Sequence, residues 1–118
     1  MRLRVEIYEN ESGEVPFLSF ILTLPEKLRA KVLWSVNLLE EMGNDLREPY
    51  SKELRDGIYE LRTIQGSNIV RSLYFFYKER AIVITGGFLK KTRKTPVREI
   101  QKAIKFRNDW LRRHVNDL

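Results

Sequence analysis

Two arginines, a lysine and an aromatic ring in the second half of the chain are spaced to meet on one face of a sheet. Gly66-Ser67 suits a two-residue type II′ hairpin, because glycine accepts the positive φ of the first central position. In that register Gln65 pairs with Asn68, Arg62 lies directly across from Arg71, and Tyr59 lies across from Tyr74 on the opposite face. Like charges directly opposite repel, so the pair is tolerable mainly where an anion or a carboxylate bridges it. If Glu79-Arg80 centres the next turn, Phe88 falls opposite Arg71 and Lys90 opposite Ile69. Guanidinium and ammonium groups beside a ring suit a nucleotide, the cations holding phosphate and the ring stacking on a base. Gly86 and Gly87 would keep the neighbouring strand thin for a close-approaching backbone. The competing reading pairs Arg62 with a carboxylate such as Glu60 or Glu99 and places Phe88 in the core.

A second cationic feature follows at once. Lys90, Lys91, Arg93 and Lys94 crowd a strand-to-helix junction that closes at Thr95-Pro96, where backbone amides at the helix start would add to the attraction for phosphate. The charge of the whole chain points the same way. Of 118 residues, 22 are Lys or Arg and 16 Asp or Glu, a net charge of +6. Residues 1–87 carry 12 basic and 13 acidic side chains and residues 88–118 carry 10 and 3, so the excess lies at the C-terminal end. Such a basic segment suits a polyanion or simply a solvated helix face.

Other chemistries find little support. There is no cysteine, hence no disulfide framework and no thiolate metal site, and a reducing compartment such as the cytoplasm is the expected location. Glu40-Glu41 has no companion at helical spacing for a carboxylate metal site. No phosphate-binding Gly-rich loop, dinucleotide fingerprint or serine elbow occurs. The only histidine, His114, is expected to be exposed in a frayed terminal turn. Trp34 and Trp110 are read as helix-packing residues. No membrane span or export signal is expected.

The elements that must position these residues follow from periodicity. Residues 2–8 alternate as a strand, and Glu9–Glu14 make a loop. Phe17–Leu22 form a short apolar helix ended by Pro25, and a second helix runs from about Glu26 to Met42, stopped by Gly43-Asn44. From Asp56-Gly57 the period becomes two, giving strands over 58–64, 69–77 and 81–89. A last helix starts at Pro96, with Ile100, Ala103, Ile104 and Trp110 on one face. The expectation is one α+β domain over residues 1–118, order βααβββα, with a twisted antiparallel sheet.

The segment Lys52–Arg62, Arg71 entering a Leu-Tyr-Phe-Phe strand, and Gly87–Pro96 with Glu99, Ile100 and Ala103 resemble the HigB-type, phage-derived branch of the RelE/ParE toxin superfamily. The resemblance covers about residues 50–107 and implies a RelE-like fold. It also implies a toxin of a bacterial toxin-antitoxin pair that cleaves messenger RNA on the ribosome. A helix-turn-helix, HigA-like antitoxin would neutralise it and be its sole link to operator DNA. Family members cut without metal or other cofactor, the substrate's 2′-hydroxyl attacking the adjacent phosphate. On this likeness Arg62, Arg71, Lys90 and Lys91 are the catalytic candidates, and Phe88, Arg93, Lys94, Lys102 and Lys105 the RNA-binding ones. Some relatives move protons with a histidine or tyrosine near the C-terminus. Only His114 lies there, outside the matched motif, so a lysine crowded by cations is the other candidate. Two alternatives remain: a ParE-like module that inhibits a protein target without nuclease activity, and an inactive relative that only binds its antitoxin.

Overall fold

A computed structural model describes residues 2–90 and 93–115. The order of elements is β1 (Arg4–Ile7), α1 (Pro16–Ile21), α2 (Glu26–Met42), a short 3-10 turn at Gly43–Asp45, β2 (Ser51–Arg55), β3 (Ile58–Gln65), β4 (Asn68–Tyr77), β5 (Ala81–Leu89) and α3 (Val97–Arg113). The class is α+β as expected, but the order is βααββββα and the sheet is not purely antiparallel. Its five strands run β1-β5-β4-β3-β2, with β1 parallel to β5 and the other neighbours antiparallel.

The added strand, β2, is a short charged edge strand without β-branched residues, so composition does not announce it. Its turn does. Asp56 and Gly57 both take positive φ, 53° and 77°, as a type I′ hairpin requires, and Asp-Gly is among the commonest sequences for that turn. The Gly66-Ser67 hairpin forms as expected, with Gly66 at φ 61°, and pairs Arg62 with Arg71 and Tyr59 with Tyr74.

The next turn differs from the expected one. Tyr77 pairs with Ala81, leaving Lys78, Glu79 and Arg80 in the loop, with Lys78 and Glu79 at φ 51° and 55°. The register then shifts between Leu73-Gly86 and Tyr74-Ile84, leaving Thr85 as an extra residue. This bulge offsets the longer loop by one residue. Phe88 therefore faces Arg71 after all, and the amide of Lys90 donates to the Ile69 carbonyl at 3.0 Å.

The sheet is covered on both sides. Phe17 and Ile21 of α1 and Leu28, Val32 and Leu39 of α2 pack with Leu61, Val70, Tyr74, Ile82 and Ile84. Ile100, Ala103 and Trp110 of α3 pack with Ile58, Leu73, Phe75 and Val83 on the other face. Burial of both faces explains why β4 and β5 read as near-continuous apolar runs. No helix among the described residues is long and apolar enough to cross a membrane.

Candidate functional site

Alternation along β3 sends Glu60 and Arg62 to the α3 face of the sheet, and pairing brings Arg71 of β4 beside them. Both Glu60 and Arg71 are 1% exposed. The carboxylate of Glu60 bridges the two arginines: Arg71 Nη1 donates to its Oε2 at 2.8 Å and Arg62 Nε donates to the same oxygen at 2.6 Å. The Thr95 hydroxyl donates to the other oxygen. Burial alone would push the Glu60 carboxyl up, but the Thr95 and Arg62 hydrogen bonds and the Arg71 charge outweigh it and hold the group below its ordinary value. Cross-strand repulsion is thus relieved from within, by a carboxylate of the chain itself.

The two arginines consequently differ in what they can do. Arg71 is committed inward, and its Nη2 also donates to the Arg93 carbonyl at 3.1 Å, tying the segment before α3 to the sheet. The Arg62 side chain keeps 19% of its surface exposed, with Nη1 3.6 Å from the surface carboxylate Glu48. It opens onto a cleft of about 290 Å³ between β2, β3 and the segment leading into α3. Five cations line it, Lys52, Arg55, Arg62, Arg93 and Lys94, against the carboxylates Glu53 and Glu60, a balance of +3. Thr95 belongs to the same wall. Pairing of Lys52 with Glu60 places that lysine beside the bridging carboxylate. Composition does not mark Lys52 and Arg55 as site residues, because the short charged β2 carries no β-branched signal; the Asp56-Gly57 turn beside them is the feature that announces the strand.

The remaining candidates lie elsewhere. Phe88 is partly buried against the core beneath α3, in keeping with the competing core reading. Lys90 lies on the same face as Arg71 and beyond it along the strand, outside the cleft lining. Lys91 lies outside the described residues. Lys102 and Lys105 are exposed on α3 and border other depressions, Lys102 one of about 100 Å³ with Phe20 and Gly87 and Lys105 one beside Tyr8.

Three expectations need correction. A Cβ on Gly87 would lie 3.0 Å from the Phe20 ring and from the Arg71 carbonyl, so the thin strand admits α1 rather than a substrate. His114 is not in a frayed exposed turn: its ring stacks on Trp110 at 4.0 Å, and its Nδ1 lies 2.8 Å from the Trp110 carbonyl. Trp110 packs edge-on against Tyr77, about 20 Å along β4 from Arg71 at strand rise, so His114 is remote from the cleft. Trp110 is a packing residue as expected, whereas Trp34 is 57% exposed. Among the described residues no cluster of His, Cys, Asp and Glu could hold a metal ion.

The chain belongs to the family of phage-derived Gp49-like proteins, whose model matches residues 19–108, and it is of the HigB type. The chain is 30% identical over 89 residues to the probable endoribonuclease HigB1 of Mycobacterium tuberculosis, strain CDC 1551 / Oshkosh, covering 75% of this chain and 69% of the relative. The probable endoribonuclease HigB1 of strain H37Rv matches to the same extent.

Proposed function

We propose that the protein is the toxin of a toxin-antitoxin pair, a RelE-like endoribonuclease that cleaves translated messenger RNA on the ribosome. The observation that carries this reading is the cleft of net charge +3 into which Arg62 opens; the probable endoribonuclease activity in the relatives' name supplies the reaction class. Balanced, the reaction moves the 2′-hydroxyl proton to a base, forms the 2′-oxygen–phosphorus bond and breaks the bond to the 5′-oxygen. That oxygen takes up a proton, leaving a 2′,3′-cyclic phosphate and a 5′-hydroxyl.

Charge accumulates on the phosphoryl oxygens as the bond forms, and preorganised cations there stabilise the transition state more than the ground state. Arg62 takes that role: Glu60 fixes its Nε, and the rest of the guanidinium addresses the cleft. Arg71 acts as a positioning residue through Glu60 and the Arg93 carbonyl. Proton transfer falls to lysines at the rim, Lys52 and Lys94, with Lys90 and Lys91 kept as candidates by the family likeness of their sequence positions. The exposed Lys102 and Lys105 steer the protein toward ribosomal RNA. A helix-turn-helix antitoxin is the partner that silences the activity, and operator DNA is reached through it.

The test is to map 5′ ends of cellular messenger RNA after brief expression of the protein and of its Arg62→Ala variant. Cuts within translated frames that vanish in the variant support the reading. DNA damage without RNA cuts would replace it with inhibition of a protein target. Cleavage by purified protein on ribosomes kept intact with polyamines should survive EDTA.

A further inference from the structure

The chain has two tryptophans and five tyrosines. Trp110, Tyr8, Tyr59, Tyr74 and Tyr77 each pack against another aromatic ring. Trp34 and Tyr50 make no ring contact among the described residues, and they are 57% and 48% exposed. These two rings, from α2 and from the segment entering β2, line one cleft of about 150 Å³. Its walls are otherwise Pro49, Ile64, Thr63, Ser35, Lys31 and Arg62. Arg62 is the one residue that lines both this depression and the basic cleft.

Exposed aromatic surface costs free energy in water, and a patch that combines it with cations has a specific use. The patch holds Lys31, fixed at the rim by its hydrogen bond to the Ile64 carbonyl, and Arg62. The acids on Arg62 are Glu60, which is buried and bonded to its Nε at 2.6 Å on the inner side, and the surface carboxylate Glu48, 3.6 Å from Nη1. Flat apolar faces beside guanidinium and ammonium groups are what a single-stranded polynucleotide recognises, base on ring and phosphate on cation. The basic cleft supplies the continuation of such a strand, since Arg62 spans the boundary.

We propose that Trp34 and Tyr50 form a base-stacking subsite for single-stranded RNA, holding the nucleotide next to the phosphate that Arg62 contacts. The subsite deepens the endoribonuclease reading and rests on it. The RNA strand then runs over the sheet edge where β2 begins, from the α2 side to the α3 side. Stacking tolerates every base but favours the larger purines, so the subsite also biases which nucleotide flanks the cut.

Titration of a short, non-cleavable 2′-O-methyl RNA carrying a terminal dye tests this, read by anisotropy and by intrinsic tryptophan fluorescence. Because Trp110 is 3% exposed, quenching on binding reports Trp34. Trp34→Ala, on an exposed helix position where alanine is well tolerated, should weaken RNA binding about tenfold. Trp34→Phe should keep most of the affinity, and binding of inorganic tripolyphosphate should stay unchanged in both. RNA that binds the wild type without quenching, or equally well to Trp34→Ala, overturns the subsite while leaving the RNA reading intact. Absence of any RNA binding by the wild type overturns the subsite, while the endoribonuclease reading stands or falls on the mapped 5′ ends. If Trp34→Ala spares RNA affinity but impairs neutralisation by a co-expressed antitoxin, the patch is a protein-docking face and the subsite is refuted.

Discussion

Replacing Arg71 with methionine keeps most of the side-chain volume and deletes the charge, which isolates the buried ion pair. Removing one partner of such a pair leaves the other charge buried and costs about 3–5 kcal/mol. Glu60 would still hold the hydrogen bonds from Arg62 Nε, at 2.6 Å, and from Thr95, so the lower end, about 3 kcal/mol, applies. For a chain of this length that is roughly 12 °C in the thermal midpoint, at about 4 °C per kcal/mol. Linkage fixes the sign with pH. The Glu60 carboxyl is held below its ordinary value, so its contribution is fully present above the unfolded-state value and is lost as pH falls through the folded one. Urea unfolding of wild type and Arg71→Met should therefore show a large gap at neutral pH that narrows under acid conditions. A variant as stable as wild type at neutral pH, or more stable, would refute the bridging role of Glu60. It would show instead that the two arginines repel across the strands.

Arg62→Ala should lower single-turnover cleavage of ribosome-bound messenger RNA by about 100-fold or more. Its thermal midpoint should fall less than that of Arg71→Met, because Glu60 keeps its Arg71 and Thr95 partners. Thr95→Val should slow cleavage at saturation with affinity little changed, since it releases the Glu60 contact that holds the segment carrying Arg93 and Lys94; Thr95→Ser should restore the rate. Gly87→Ala, forced against Phe20 and the Arg71 carbonyl, should cost about 1–3 kcal/mol in urea unfolding. Hydrogen bonds from Arg113 and Tyr8 hold the Asp109 carboxyl at about 2. The stability it adds is present above its unfolded-state value and lost as pH falls toward 2, a dependence that an acid-unfolding series should find missing in Asp109→Asn.

Local rules set the central hairpin. Glycine at the first turn position and a period of two suffice to place Arg62 opposite Arg71 and both on one face. They do not say which arginine is buried, because that depends on α3 and the segment before it closing over one strand more than the other. The pairing of Phe88 with Arg71 is legible for a less secure reason: an overlong loop at Lys78–Arg80 and a bulge at Thr85 cancel. Parallel pairing of β1 with β5 joins strands far apart in sequence, and no nearby turn specifies it. His114 follows the same logic in reverse. Its tail position suggests fraying, yet the Trp110 ring four residues earlier in the chain offers a stacking surface at helical spacing.

Charge arithmetic by segment identifies a polyanion-binding character but misplaces its surface. Of the ten cations after residue 87, Arg112 and Arg113 are spent on Asp109, with Arg112 also on Glu11, and Arg107 caps the Asp56 carbonyl. The cleft draws instead on both halves of the chain. Lys52, Arg55 and Arg62 come from the segment whose net charge is near zero, and Arg93 and Lys94 from the basic one. Lys52 and Arg55 arrive through the pairing of β2 with β3, and the Glu60 bridge gathers the groups from β3, β4 and the approach to α3 around a single carboxylate. That carboxylate cancels one unit of the charge it organises. What it supplies in return is placement: Arg71 held inward, Arg62 held with one edge outward, and the Arg93–Thr95 segment fixed to the sheet at two points. A cluster of cations without that internal anion would repel itself apart. With it, the same residues form a surface of fixed shape and net positive charge, which is what preorganised stabilisation of a phosphoryl transition state requires.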